Sequence, residues 1–343
     1  MSKPIIAVTM GDPAGIGPEV IAKALTHEWV LKACSPLIIG SERSLARAMR
    51  ITGASFPYEC RPAGEEFPAG FSNILLWNDE IHLREHIPLA AADPSCGASA
   101  FAWLERAIQL ALEKRVAAIV TAPLNKAALN QAGHRYAGHT EILAEKTGSK
   151  EYSLMLIAGD FRVAHVTCHV AMSQVSSLLT VERIACAIRL FHEALSRLDG
   201  AAPRIAVCAF NPHAGEGGLF GDEEIRAITP AVHQCAGEGI QVSGPFPSDS
   251  IYPQMIGGRY NGVVAMYHDQ GHIPFKLANF KFDPVTQEWQ TVTGVNVTLG
   301  LPIIRASVDH GTAFDIAGTG KASEQSMLDA IRVALKLAGG STP

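Results

Sequence analysis

The sequence predicts an α/β protein built from βαβ units around a largely parallel sheet, and three observations carry that prediction. Short runs of apolar and β-branched residues, bounded by turn residues, alternate with longer segments of helical period. The chain has 343 residues, 48% hydrophobic and 18% charged, enough for one large core or two of ordinary size. Its 31 glycines and 20 prolines fall in short clusters spread along the chain, which suits many reversals between compact elements. Disorder, collagen-like repeats and mini-proteins are excluded by the same composition. With 28 Lys and Arg against 33 Asp and Glu, the formal net charge is −5, so no global positive field holds a polyanion and no nucleic-acid partner is expected.

Strands are expected at residues 4–9, 37–40, 73–76, 117–121, 154–157, 162–166, 204–209, 262–267 and 303–307. Between them, residues 97–114 place Phe101, Leu104, Ile108 and Leu112 on one stripe, as a helix lying on a sheet does. Residues 181–195 repeat the design with Ile184, Ile188, Phe191 and Leu195 behind Thr180 as N-cap. The last helix, 324–338, carries Glu324 in its first turn and Lys336 in its last, with Gly339-Gly340 beyond. No repeat or low-complexity linker divides the chain, so two domains, if present, are interwoven. The polar and aromatic stretch 279–293, with Phe280, Phe282 and Trp289, is expected to leave the sheet as a hairpin-sized excursion.

The first residues lack the long apolar core and small-residue cleavage site of a secretory signal, and no run approaches the roughly 18 apolar residues of a membrane helix. A soluble, cytoplasmic protein with no membrane partner is expected. Seven cysteines, an odd number with no C-x-x-C pair, are read as reduced thiols, mostly small core residues.

Four constellations could carry chemistry. Met10-Gly11-Asp12-Pro13-Ala14-Gly15-Ile16-Gly17-Pro18-Glu19 follows the first strand and opens a helix with Pro18 at its start. Its glycines could bring N–H groups to an anion, or simply make a tight turn. It is neither G-x-G-x-x-G nor a Walker A loop. Next, His139, His169, His213 and His268 stand at element ends, the last three after expected strands. The carboxyl ends of parallel strands share one edge, so three imidazoles could converge there on a zinc-like ion with an open position. Taken singly, each is better read as a hydrogen-bonded structural residue; the shared strand-end placement of three favours function. The other nine histidines include helical ones such as His192 and His233, read as solvated. Third, Lys126, Lys276, Asn296 and Arg305 could hold a carboxylate or phosphate, or be surface polar groups. Fourth, residues 309–321 form a small-residue turn in which backbone groups and Asp315 could face a nucleotide.

Together, Gly11 to Glu19, Thr121-Ala122-Pro123-Leu124-Asn125-Lys126, Gly138-His139-Thr140-Glu141, Tyr267-His268-Asp269-Gln270-Gly271, Gly294-Val295-Asn296-Val297-Thr298-Leu299-Gly300-Leu301-Pro302 and Ser307-Val308-Asp309-His310-Gly311-Thr312-Ala313 resemble the motifs of the 4-hydroxythreonine-4-phosphate dehydrogenase (PdxA) family, in its order and over nearly the whole chain. That family is similar in fold to isocitrate and isopropylmalate dehydrogenases, whose H-G-S-A-P-D-I-A-G-K-G segment resembles residues 310–321. The resemblance implies two interwoven α/β/α domains with a cleft between them, expected at residues 1–125 plus 275–343 and 126–274. It further implies an NAD or NADP site at His310, Gly311, Thr312, Asp315 and Ile316, without a Rossmann fingerprint.

Carried over residue by residue, the resemblance implies that His169, His213 and His268 bind a divalent metal ion. Imidazole suits zinc, cobalt, nickel or iron, and magnesium or manganese also enter as candidates. His139, Thr140, Lys276, Asn296 and Arg305 are then expected at a phosphorylated substrate, with Asp249 beside them; Lys276 and Asp249 are the catalytic candidates, Lys276 as a proton carrier in a dry cleft. Family members are homodimers whose metal site takes histidines from both subunits, so a lone monomer is expected to be inactive. The implied chemistry is oxidation at a carbon-3 hydroxyl with hydride passing to the nicotinamide, then loss of carbon dioxide. The long stretch from Lys276 to Asn296 resembles a second group of paralogues that act on D-threonate or D-erythronate 4-phosphate and give dihydroxyacetone phosphate. Alternatives are 4-phosphohydroxy-L-threonine oxidation in pyridoxal phosphate biosynthesis, a cis-dihydrodiol dehydrogenase, whose branch usually carries His where Ala14 stands, a non-catalytic phosphometabolite-binding protein and a zinc hydrolase.

Overall fold

The computed structural model describes residues 3–66, 68, 70–285 and 288–340. The chain folds into two compact units, Met1–Ser149 with Val292–Val295 and Leu301–Pro343, and Lys150–Thr291 with Asn296–Gly300. These bounds differ from the expected 1–125 plus 275–343 and 126–274 for a packing reason given below.

In the first unit, β1 (Ile5–Thr9) leads through α1 (Gly17–Ala24) and α2 (Glu28–Ala33) to β2 (Ser35–Gly40), and α3 (Glu42–Thr52) to β3 (Tyr58–Pro62) and β4 (Ile74–Asn78). Then α4 (Pro94–Leu112), β5 (Ala118–Thr121), α5 (Lys126–Gln131) and α6 (His139–Thr147) follow. The second unit holds β6 (Ser153–Ala158), β7 (Phe161–His165), α7 (Met172–Leu178), α8 (Val181–Asp199), β8 (Ile205–Cys208), α9 (Thr229–Gly237), β9 (Val242–Phe246), α10 (Ser248–Ile256), β10 (Gly262–Ala265) and α11 (His268–Asn279). After it come β11 (Phe280–Asp283), β12 (Glu288–Val292) and β13 (Val295–Leu299), most of which stays with the second unit. The chain then returns to the first unit with β14 (Arg305–Val308) and α12 (Gln325–Leu337). Helices α5 and α6 pack on α4, and α11 packs on β7, β10 and β6, so each stays with the unit whose core it covers.

Strands of the first unit lie in the order β3-β4-β2-β1-β5-β14, all paired in parallel. Those of the second lie in the order β13-β6-β7-β10-β8-β9. There β6 and β7 are antiparallel, while β7-β10-β8-β9 is parallel. Inner strands such as β1, β5, β8 and β10 are buried at every position, as strands covered on both faces must be.

The expected helices form, although α4 starts three residues earlier than expected, α8 runs four residues further, and Glu324 is the N-cap of α12 rather than a first-turn residue. Thr180 Oγ1 accepts from Arg183 N at 3.2 Å, and Gly200 closes α8 with φ 69°. Phe101, Leu104 and Ile108 are buried on α4, while Leu112 at its last turn is exposed. All nine expected strands are present within a few residues. Three others, besides the two of the 279–293 excursion, lie outside that set. Edge strands β3 and β9 are half-exposed, one polar and one interrupted by Gly244-Pro245, so neither shows an apolar run. The third, β13, alternates Val295, Val297 and Leu299 with Asn296 and Thr298 over only five residues. The 279–293 excursion is a separate two-stranded sheet of β11 and β12. The seven cysteines are all free, with Cys34, Cys96, Cys186, Cys208 and Cys235 buried, Cys168 half-buried and Cys60 exposed.

Candidate active site

Parallel order β7-β10-β8 puts three carboxyl ends on one edge of the second unit, and the loops leaving them carry His169, His268 and His213. Thr167 joins two of these exits, its N and Oγ1 both donating to Met266 O at 3.1 and 2.8 Å. The rings of His169 and His268 lie 6.0 Å apart. His268 Nδ1 is 2.7 Å from Asp269 Oδ1, and when that nitrogen carries the proton a lone pair is left on Nε2, the arrangement that orients a ligating imidazole. His213 does not join the pair: its ring neighbour is Phe220, at 6.5 Å, and among the described residues no group of three His, Cys, Asp or Glu side chains is placed to hold a metal ion. The donor chemistry of His169 and His268 fits a divalent cation, with one ligand or more to come from elsewhere.

Two histidines set aside at the sequence level belong to this edge. His272 stacks on His268 at 3.6 Å, one helical turn on, and buried His165 lies 4.8 Å from His272. Burial pushes the His272 imidazole down to about 3 and His165 to about 4, so both are neutral at physiological pH. Gly271 is required where it stands, since a Cβ there would sit 2.3 Å from His165 Nε2. Gln270, buried and quoted above only as part of a motif, also belongs here. Its Nε2 donates to Ala209 O and Ser248 Oγ, both at 2.7 Å, and its Oε1 accepts from Met266 N at 2.6 Å. One amide therefore ties the exit of β8 to the exit of β10 and the start of α10.

Of the other candidates in this unit, Asp249 on α10 is exposed and lines an apolar groove of about 600 Å³ with Tyr252, Ile256, Ile273 and Leu277. Lys276 is exposed too, its Nζ 5.4 Å from the centre of the Phe280 ring, rather than enclosed in a dry cleft. Asn296 on β13 keeps a buried Oδ1 with no hydrogen-bond partner.

The first unit gathers a different set. Arg305 opens β14 with only 2% of its surface exposed, and its guanidinium donates to Thr121 Oγ1 at 2.8 and 3.2 Å. Burial pulls it down to about 9, with the Glu141 carboxylate opposing the shift. His139 starts α6 behind Gly138; burial first, and the Arg305 charge second, hold its pKa well below the usual range, so the imidazole is neutral. Thr140 follows in the same first turn, whose N–H groups have no partner within the helix, as at any helix start. Thr121 and Glu141, both inside motifs quoted above, are the additions here.

The glycine turn after β1 is packed shut. Asp12 N donates to Pro123 O at 2.8 Å and Ile16 N to Thr312 O at 3.0 Å, and a Cβ at Gly11, where φ is 68°, would lie 2.2 Å from Pro123 O. Its glycines let the protein's own strand ends approach, which favours the tight-turn reading over an open anion cradle. In the segment after β14, the N–H groups of Gly318 and Gly320 donate to the Glu19 carboxylate at 2.6 and 2.8 Å. His310 Nδ1 lies 3.0 Å from Gly311 O, and its Nε2 is buried with no hydrogen-bond partner. Gly311 and Asp315 are exposed, with Thr312 and Ile316 half-buried.

A family model described as "Pyridoxal phosphate biosynthetic protein PdxA" matches residues 32–334. The chain is similar to the D-threonate 4-phosphate dehydrogenase of Cupriavidus necator, 44% identical over 98% of this chain and 97% of that one. It is as similar to the 4-hydroxythreonine-4-phosphate dehydrogenase of Geobacter metallireducens, 44% identical over 100% and 99%. Among solved structures, the 4-hydroxythreonine-4-phosphate dehydrogenase of Klebsiella pneumoniae superposes with a TM-score of 0.79 at 42% identity, over 98% of this chain and 100% of that one.

Proposed function

The chain belongs to the PdxA family, and from that premise we propose that it is a metal-dependent, NAD- or NADP-dependent dehydrogenase that oxidises and decarboxylates a phosphorylated 3-hydroxy acid. D-Threonate or D-erythronate 4-phosphate is the substrate in this reading, with dihydroxyacetone phosphate and carbon dioxide as products. The observation that supports it most is the delivery of His169 and His268, 6.0 Å apart, from neighbouring strand ends in a chain 44% identical to a D-threonate 4-phosphate dehydrogenase. Relatives named dehydrogenases displace the binding-protein and hydrolase readings.

His169 and His268, with His213, would hold the divalent cation, which when bound polarises substrate oxygens and eases the loss of hydride and carbon dioxide. Arg305 is held in place by Thr121 and keeps its charge at neutral pH, so it can fork onto an acid group of the substrate, while His139 and Thr140 donate to the phosphate. Asn296 offers a buried amide oxygen to a substrate hydroxyl. Asp249 and Lys276 are the proton-handling groups. Both are exposed in the single chain beside the apolar groove, and a second copy covering that groove would dry them and bring the remaining ligand, which favours a homodimer with a shared site. The cytoplasm is the location this reading implies, in keeping with cysteines that are all free.

A second reading, oxidation of 4-phosphohydroxy-L-threonine, is favoured by the equal identity to the Geobacter metallireducens enzyme. The test is NAD reduction, followed by absorbance, with added divalent metal and D-threonate 4-phosphate, D-erythronate 4-phosphate or 4-phosphohydroxy-L-threonine in parallel. Turnover of an acid-sugar phosphate with dihydroxyacetone phosphate released supports the first reading. Preference for the amino substrate replaces it with the second, and no turnover of any of the three overturns both.

A further inference from the structure

The loop that carries His213 holds the longest run of left-handed backbone among the described residues. Residues 213–217 all have left-handed backbone angles, with φ of 52°, 55°, 78°, 45° and 67°, and three of them, His213, Ala214 and Glu216, are not glycine. Non-glycine residues avoid that region because Cβ crowds the following carbonyl, and a run of them persists only where surrounding contacts hold it.

Within the loop Gly215 O accepts from Phe220 N at 3.2 Å, and the chain just ahead of the turn is held by one carboxylate. Glu224, 4% exposed, sits in a π-helical turn, Glu224–Ile228, that runs into α9. Its Oε1 accepts from Phe210 N and Asn211 N, both at 2.8 Å, and its Oε2 accepts from Asn211 Nδ2 at 2.9 Å. The same oxygen would meet a Cβ on Gly215 at 2.8 Å, so it also packs beneath the turn. Neighbouring Glu223 accepts from Asn211 Nδ2 at 2.7 Å and from Ser176 Oγ. Arg226 fastens this turn to α7 through Ser176 O and Leu179 O.

We propose that Glu224 is the positioning residue for His213: its carboxylate fixes the two backbone N–H groups ahead of the left-handed turn and so presents the imidazole in one orientation. The proposal rests on the reading of His213 as a metal ligand, and the experiment separates the two. Zinc alone is titrated into the metal-stripped full-length protein by calorimetry, for wild type, E224A, E224Q and H213A, with thermal melting of each metal-free protein alongside. Positioning predicts zinc affinity weakened about 10- to 100-fold in E224A, the usual range for residues that orient a ligand, and less in E224Q, which keeps one acceptor oxygen. A purely structural role lowers the melting temperature but leaves the zinc affinity of the folded protein untouched. If E224A and E224Q bind zinc within about twofold of wild type while H213A binds it much more weakly, the positioning role is overturned. If H213A also binds like wild type, the ligand reading falls, and the proposal with it. Should E224A fail to fold, E224Q carries the comparison alone.

Discussion

The strand ends of the two units solve the same packing problem in opposite ways. In the first unit, the turn after β1 and the segment after β14 satisfy their backbone groups internally: Pro123 O, Thr312 O and the Glu19 carboxylate take the N–H groups that the glycines bring close. In the second unit, the loops after β7, β8 and β10 present exposed or half-exposed imidazoles, and one of them is held in left-handed geometry. A glycine-rich loop therefore marks close approach, and what approaches can be the protein itself. Reactive groups stand where the fold leaves side chains, rather than backbone, facing outward.

The largest effect expected in testing that contrast is on the open side. His268→Ala should lower kcat/KM for the phosphorylated acid by at least about 10³-fold, since removing one ligand forfeits several kcal/mol of charge stabilisation. Its melting temperature should barely move, because the ring is 38% exposed. A large loss of stability with turnover intact would reverse the assignment. On the closed side the opposite split is expected. Gly11→Ala forces a Cβ to within 2.2 Å of Pro123 O at a positive φ, so the strand ends must part, at a cost of about 3 kcal/mol or more in stability. Chemical denaturation reads this directly, and a variant as stable as wild type would show that the turn is looser than its hydrogen bonds indicate.

Asp12 tests the same closed turn through pH. Its carboxyl is buried with one oxygen bonded to Ala14 N at 2.9 Å and the other without a hydrogen-bond partner, and burial raises it from 3.8 to about 6, with Asp93 adding to the shift. Between about pH 4 and pH 6 the unfolded chain has released a proton that the folded chain keeps, so stability falls as pH rises through that window. Above it the full cost is present, on the order of 3 kcal/mol. Asp12→Asn keeps the acceptor for Ala14 N and cannot ionise. Its melting temperature should exceed that of wild type at pH 7.5 and meet it near pH 4; parallel pH curves for the two proteins would refute the buried ionisation.

How much of this was legible in the sequence follows from what each feature depends on. Periodicity and caps located α4, α8 and α12 because helical stripes and N-caps are local, and nine strands because apolar runs are local too. Edge strands β3 and β9 escaped because half-exposed strands lack such runs. The bounds of the two units depend on which core a helix covers, a long-range fact that no local pattern carries. In the site, residue types and strand-end placement pointed to His169, His213 and His268. No local pattern announced that Gln270 bridges three elements, that Thr121 holds Arg305, or that Glu224 reaches back to Phe210 and Asn211. Such partners are separated by 13 to 184 positions, and each is an ordinary polar residue until the fold brings it to its partner.

The smallest effect is the most discriminating, because its sign alone decides. In a right-handed or extended segment, Ala→Gly costs about 0.5–1 kcal/mol, since glycine loses more conformational freedom on folding. At a left-handed position the same change removes about 1–2 kcal/mol of steric crowding, which outweighs that entropy. Ala214 has φ 55° and ψ 38°. Ala214→Gly should therefore leave the melting temperature unchanged or raise it slightly, where the same substitution at Ala187, buried in the middle of α8, should lower it. A fall at position 214 as large as that at 187 would mean that the turn is not left-handed in solution, and the contrast between a relaxed, self-satisfied edge and a strained, outward-facing one would lose its clearest physical support.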